Sequence, residues 1–384
     1  MPIDVTAIRE REFPWTARGD AIFLDHASTG PLPERTRRAL AEHGLRRAEP
    51  FRLTADDFFP TLQRARDAAA ALIGAPPGTV ALMTNTSHGV NLAARALPYG
   101  RGEVILSTAG EFPANVYPWI AAARERGADF RMLPLANGFP DEAAILHAIE
   151  SDPRVRGVAV SWVSFWNGYR FDLDALGAAC RRHGKWLFVD AIQGVGASDL
   201  DVVRANVDVL ACGGQKWLLS PWGTGFCYVR KELVTSLEPK EVGWMAQPAT
   251  SDFNRFLEYD PTWFDDARRF EVVTLDFVNF AAMAASLSLF LELTQAAVGA
   301  RVRALVERAV AFASANEGVE LMSAADPAHR AGVVALRPRD VAAASGRLKD
   351  AGLAHAVREG NIRIAPHFYN TEAELDGALR LLSG

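Results

Sequence analysis

Lys216 follows a short, mostly apolar run, Val207-Asp-Val-Leu-Ala-Cys-Gly-Gly-Gln215, that closes on two glycines. Such a run suits a buried parallel strand, and open α/β sheets place their ligands just beyond the C-terminal ends of those strands. A lysine held there loses its proton more readily when desolvated or set near another cation, and its free amine can attack an aldehyde. The plain alternative is a solvated loop lysine, which describes most lysines. A second residue shifts the balance. In Lys185-Trp-Leu-Phe-Val-Asp190-Ala-Ile-Gln193 an apolar strand ends directly on a carboxylate. Burying an acid there is costly unless it meets a cation or several donors. A helix N-cap role for Asp190 is worth only about 1 kcal/mol and leaves the lysine unexplained.

A protonated pyridine nitrogen is a suitable cation for such an acid. Pyridoxal phosphate needs an acidic group there, so that its ring can act as an electron sink, and a lysine for the imine. It also needs a phosphate site. The stretch from Val80 to Leu97 reads as a strand, a polar turn and a helix stopped by Pro98. Thr86 and Ser87 fall where hydroxyls and free amides point out of the helix start. Many helices begin this way, so the weight comes from the combination with Asp190 and Lys216. A fourth segment, Ser107-Thr-Ala-Gly-Glu111-Phe112-Pro-Ala-Asn115-Val-Tyr117-Pro-Trp119, again follows a strand. Phe112 could lie on a pyridine ring by offset stacking, although core packing is the usual fate of a lone Phe.

These residues require a sheet that brings several strand ends together. Apolar strands are predicted near 80–84, 103–107, 129–134, 157–163, 186–190, 207–211 and 224–229, alternating with helical stretches. That alternation argues for an α/β fold with a mostly parallel sheet covered on both faces. Amphipathic helices are predicted over 34–48 and 55–73, with a strongly helical run over 276–315. The 384 residues exceed the size at which one core keeps growing. The expected division is an N-terminal arm (1–20), a large domain (21–270) and a smaller C-terminal domain (271–384).

The 49% hydrophobic and 23% charged content is that of an ordinary globular protein. A net charge of -5 gives no sign of a nucleic-acid or anionic-membrane partner. With no basic-then-apolar N-terminal pattern and no uncharged apolar stretch of about 18 residues, a cytoplasmic protein is expected. Cys180, Cys212 and Cys227 show no metal-ligand spacing and are too few for a disulfide framework, so buried, inert thiols are expected.

The chain resembles the class V aminotransferase family, fold type I pyridoxal phosphate enzymes that include cysteine desulfurases, kynureninase and isopenicillin N epimerase-like proteins. The likeness runs from Phe23-Leu-Asp25-His-Ala-Ser-Thr-Gly30-Pro-Leu32, through the Asp190 to Gln193 and Gln215-Lys216 motifs, to Arg363-Ile-Ala-Pro-His367-Phe-Tyr-Asn370-Thr371. It implies a large domain with a mostly parallel seven-stranded sheet, a smaller C-terminal α+β domain, and a homodimer with active sites at the subunit interface. By matching position it implies that Lys216 forms the internal aldimine, that Asp190 binds the pyridine nitrogen and that Gln193 contacts the phenolic oxygen. Thr86, Ser87 and Gln215 would serve the phosphate and Phe112 would stack on the ring. Thr274 would reach the phosphate of the neighbouring subunit. Arg363 would clamp the substrate carboxylate, a task that suits its bidentate fork, and Asn115 is a further candidate substrate contact.

Several positions depart from the family pattern. The usual His before the lysine is Gln215, the preceding Ser is Gly213, and Val273 stands where a dimer-contact glycine is usual. The asparagine near the cofactor hydroxyl falls on or near Phe165, which with Trp162 suggests an apolar pocket, though Asn167 could substitute. No cysteine follows Cys227, which argues against a desulfurase with a mobile acceptor thiol. The expected activity is a C-S or other β-lyase on an amino acid, ahead of an aminotransferase and then an epimerase. Tyr117, His26, His88 and His367 are candidate second acid/base groups, with structural roles as the plainer expectation. A non-catalytic protein that holds pyridoxal phosphate is the rival from another class, and the carboxylate clamp argues against it.

Overall fold

The computed structural model describes residues 3–254 and 256–383. After α1 (Val5–Glu12) and the two-residue strand β1 (Ile22–Phe23), helices α2 (Glu34–Ala48) and α3 (Phe59–Leu72) precede the main sheet. Its strands are β2 (Val80–Leu82), β3 (Val104–Thr108), β4 (Asp129–Leu133), β5 (Val155–Ser161), β6 (Trp186–Asp190), β7 (Val209–Gly213) and β8 (Gly225–Val229). They lie in the order β2-β8-β7-β6-β5-β3-β4, and β8 runs antiparallel to both its neighbours. The remaining pairs are parallel, so β2, β3, β4, β5, β6 and β7 end at one edge.

Every residue of β2, β3, β6, β7 and β8 is buried, the continuous apolar pattern that a sheet covered on both faces demands. Alternate side chains feed two cores. Ala81, Ile105, Phe188 and Ala211 pack under α4 (Thr86–Ala96) and α5 (Tyr117–Arg126). Leu82, Leu106, Val189 and Leu210 join the larger core, together with residues of α3 and α7 (Leu173–Arg182), which follows α6 (Glu142–Ser151). Only the edge strand β4 is half exposed.

After the short α8 (Lys231–Val234), the helical run expected over 276–315 is two helices, α9 (Phe277–Leu293) and α10 (Gln295–Ser314), set at 81°. Thr294 breaks it: its φ is +67° and its hydroxyl accepts the Ala297 N–H at 3.3 Å, an N-cap that starts a new axis. No single described helix is long and apolar enough to cross a membrane. A four-stranded antiparallel sheet follows, ordered β12-β13-β10-β9, from β9 (Val319–Leu321), β10 (Val334–Pro338), β12 (Ala356–Arg358) and β13 (Asn361–Ile364). Helices α11 (Val341–Asp350) and α12 (Glu372–Arg380) accompany it, and β11 (Leu353–Ala354) pairs with β1 in parallel.

The N-terminal residues are tied to the C-terminal part. The Phe13 ring stacks on Tyr369 at 4.0 Å, and Arg9 pairs with Glu374 at 2.7 Å. Through β1 and this contact, the segment carrying Asp25 to Gly30 is delivered to the edge where the strands end.

Candidate active site

Asp190 closes β6 between Ser161 of β5 and Ala211 of β7. It is 2% exposed, and its Oδ1 accepts one protein hydrogen bond, from the Ile192 N–H at 3.0 Å. A carboxylate has about four acceptor sites, so this one is under-partnered. Burial pushes its pKa up to about 6, against the opposing pull of the Ile192 N–H and of Lys216. Lys216 lies three residues past the end of β7. Burial pushes its ammonium down to about 8; Asp190 pulls the other way, and Arg363 adds to the lowering. The amine sits 5.6 Å from the centre of the Phe112 ring.

The backbone around the lysine is fixed by close packing. Gly30 donates to the Gln215 carbonyl at 2.8 Å, and a Cβ on Gly30 would stand 2.3 Å from the Lys216 carbonyl oxygen, so only glycine fits there. His367 accepts the Phe368 N–H on Nδ1, which leaves Nε2 to donate to the Trp217 carbonyl at 2.9 Å.

At the start of α4, Asn85 caps the His88 N–H, Thr86 is buried and Ser87 is exposed. The Thr86 Oγ1 accepts the Gly213 N–H at 2.9 Å, so its own proton remains to be donated outward. The first amides of a helix have no helical acceptors, and its positive end favours an anion. A Cβ on residue 213 would lie 2.6 Å from Gln215 Oε1 and 2.9 Å from Thr86 Oγ1.

Gln193 is held on both sides: its oxygen accepts from Trp217 Nε1 at 2.8 Å and its amide donates to the Ala27 carbonyl at 2.9 Å, leaving one amide hydrogen. Arg363 is 2% exposed. It donates through Nη1 to the Phe165 carbonyl at 2.7 Å and through Nη2 to Asp25 at 2.8 Å and Ser28 at 2.6 Å, while its Nε has no partner. Phe112 is 43% exposed and meets Phe165 edge to face at 5.2 Å, whereas Trp162, expected to share an apolar wall with Phe165, is buried in the larger core. Asn167 points elsewhere, to Gly138 and Tyr169.

Asn115, expected at the substrate, is buried with both polar ends taken, by Glu111 at 3.1 Å and Trp119 at 3.0 Å. Thr274 lies away from this cluster, exposed, 3.5 Å from Trp244 Nε1. Of the candidate acid/base groups, His26 is buried between the Ala365 carbonyl and the Tyr369 hydroxyl. His88 faces Glu241 at 3.7 Å, and Tyr117 is 68% exposed. Sequence reasoning passed over Glu111, Asp25 and Ser28. The first two carry the signal that singled out Asp190, an acid just after an apolar strand.

The residues fit pyridoxal phosphate. An under-partnered buried acid suits its ring nitrogen, an amine of lowered pKa suits its aldehyde, a helix start with a free hydroxyl suits its phosphate, and Arg363 keeps a buried Nε without a partner.

The aminotransferase class-V family model matches residues 22–377. The chain is 35% identical, over 82% of its length and 81% of the other's, to the uncharacterized aminotransferase YcbU of Bacillus subtilis. It is 30% identical to isopenicillin N epimerase of Streptomyces clavuligerus, with 94% of each covered. Among solved structures, the cystine C-S lyase C-DES in complex with cysteine persulfide superposes with a TM-score of 0.84 at 25% identity, covering 97% of this chain and 99% of that one. The fold is fold type I, and the chain belongs to the class V aminotransferase family of pyridoxal phosphate enzymes.

Proposed function

We propose that the enzyme is a lyase that cleaves a bond at Cβ of an amino acid, with a C-S bond the foremost candidate. The observation that carries this is the Lys216 amine, brought down to about 8 and set beneath an aromatic lip of Phe112 and Phe165. The cysteine pattern supports it. All three thiols are buried and none follows Cys227, so no mobile thiol of this chain stands ready to accept sulfur. The resemblance to a cystine C-S lyase points the same way.

When bound, pyridoxal phosphate supplies a sink for the electrons released at Cα. Asp190 would keep a proton on the ring nitrogen, and the remaining amide hydrogen of Gln193 would meet the ring hydroxyl. Thr86, Ser87 and Gln215, with the first amides of α4, would hold the phosphate. Arg363, already oriented by Asp25 and Ser28, would bind the substrate carboxylate through its unpartnered Nε. The Lys216 amine would take the Cα proton and pass it to the group departing from Cβ, a role for which a pKa near the working pH is best. Phe112 and Phe165 would exclude water from the side where the leaving group departs.

The test is a panel of amino acids given to the loaded enzyme without added keto acid. Release of keto acid and ammonia, with sulfide from sulfur substrates, is the expected outcome. Turnover that requires an added α-keto acid would make the enzyme an aminotransferase, the reading favoured by the name of the Bacillus relative. Inversion at Cα without release would make it an epimerase.

A homodimer is part of the same proposal. Trp244, Phe253, Phe256 and Tyr259 are exposed, and a groove of about 1130 Å³ runs between Phe58, Phe59, Trp244 and Phe277, with Thr274 on its wall. Large apolar patches mark interfaces, and a second copy seated there would place Thr274 at the neighbouring site. Light scattering should give twice 41.7 kDa. A monomeric mass would remove the shared site.

A further inference from the structure

Glu111 belongs to no part of the cofactor cradle, yet it is the most heavily hydrogen-bonded acid near it. Its Oε1 accepts the Ser161 N–H at 2.7 Å; its Oε2 accepts both the Ser161 hydroxyl and Asn115 Nδ2, the latter at 3.1 Å. Ser161 ends β5 directly opposite Asp190. Asn115 is in turn fixed by Trp119, which is fully buried and stacked on Trp186 at 5.6 Å. One carboxylate thus ties the turn after β3 to the end of β5 and to the start of α5. The next residue along that turn is Phe112. Its ring is 43% exposed and touches only the edge of Phe165 among the aromatic rings described, so its own packing holds it weakly over the lysine.

We infer that Glu111 is a positioning residue that holds Phe112 over the Lys216 amine. This rests on Lys216 and Phe112 forming the cofactor site but not on which bond is cleaved. The anchor is strongest as an anion: a neutral acid turns one oxygen into a donor, so the Ser161 hydroxyl must turn round to accept and the charge-assisted bonds are lost. A glutamine does the same: its amide nitrogen would face either the Ser161 N–H or both the Ser161 hydroxyl and the Asn115 amide. Burial, with Asp190 adding to it, pushes the Glu111 pKa up to about 7, while its three donors pull it down. The titratable groups around it are Asp190 at the end of β6 and, across Phe112, Lys216 after β7; Ser161 on β5 and Asn115 before α5 bring no charge. The anchor is therefore complete above about pH 7 and loosens below it.

The test uses the full chain without cofactor. Lys216 is labelled by reductive methylation with formaldehyde and cyanoborohydride, and its peptide is followed by mass spectrometry in wild type, Glu111→Gln, Phe112→Ala and the double variant. Freeing the ring should speed labelling roughly three- to tenfold in Glu111→Gln at pH 8, the effect of losing one hydrogen bond from the anchor. The ratio to wild type should shrink below pH 7, where the native acid is itself protonated. The double variant should label no faster than Phe112→Ala, because both changes act through one ring. Ser161→Ala, which leaves the Ser161 N–H in place, should give a smaller increase in the same direction and serves if Glu111→Gln does not fold. Labelling unchanged in both Glu111→Gln and Ser161→Ala, a ratio independent of pH, or independent effects of Glu111→Gln and Phe112→Ala would overturn the inference. Product assays on loaded wild type decide the lyase reading separately.

Discussion

Glu271 and Asp190 are both acids buried to within 2% of complete, and the same chain treats them in opposite ways. Glu271 meets Arg66 as a bidentate pair at 2.7 and 2.6 Å and also accepts the Leu82 N–H at 2.9 Å. Asp190 has one backbone donor and a lysine that is itself losing its charge. A buried ion pair that only holds structure has its lone pairs filled, since leaving any empty forfeits the compensation for desolvation. On the proposed reading, a carboxylate left under-partnered at the common end of six strands is held ready for a cation that the chain does not supply. The two regions therefore separate stability from readiness for a ligand, and substitutions should pull them apart.

The largest effect is expected from Lys216→Ala, which removes both the imine-forming amine and the proton carrier. Turnover should fall on the order of 10⁴-fold, toward the upper end for a lost acid/base group, with little change in folding of the apo chain. Glu271→Gln should do the reverse. It leaves the Arg66 charge buried with a neutral partner and should cost about 3–5 kcal/mol in chemical denaturation, while turnover per folded molecule stays near wild type.

Asp190→Asn sharpens the contrast. Turnover should fall roughly 10²–10³-fold, the range for removing one electrostatic group from a preorganised site. The apo chain should nevertheless become more stable above pH 6. The folded pKa of Asp190 is raised from 3.8 to about 6, so the folded state binds the proton more tightly than the unfolded one, and wild type loses stability as pH rises through that window. Thermal melts of the apo chain at pH 5 and pH 8 read this, with an expected gain on the order of 2 kcal/mol at the higher pH. A loss of stability at pH 8 would place Asp190 with Glu271, as a structural acid. Smallest should be Arg363→Lys, which keeps the charge but loses the fork. It should raise KM about tenfold with a lesser change in kcat, and an unchanged KM would remove the clamp.

Much of this contrast was legible in the sequence, because it rests on local pattern. The seven strands of the main sheet fall within about two residues of the apolar runs, and Asp190 and Lys216 stand out because each interrupts such a run at its end. What was not legible depends on distant partners. Arg363 is oriented by Asp25, 338 residues away, and Gln193 is occupied by Trp217 and Ala27. Asn115 is the exception, taken up by neighbours four residues away on either side, Glu111 and Trp119, the latter locked under the sheet. The break at Thr294 was hidden for another reason: α9 and α10 each bury a face of eight residues, so the apolar pattern continues across the bend.

The chain has five lysines, Lys185, Lys216, Lys231, Lys240 and Lys349, which makes one measurement decisive for the central claim. Wild type and Lys216→Ala would be loaded with pyridoxal phosphate, reduced with borohydride and digested, and the mass of each lysine peptide read. The expected result is the reduced cofactor on the Lys216 peptide of wild type and on no peptide of the variant. Cofactor fixed to another lysine, or equal labelling of the two proteins, would show that the under-partnered pair at the strand ends is not the reactive centre.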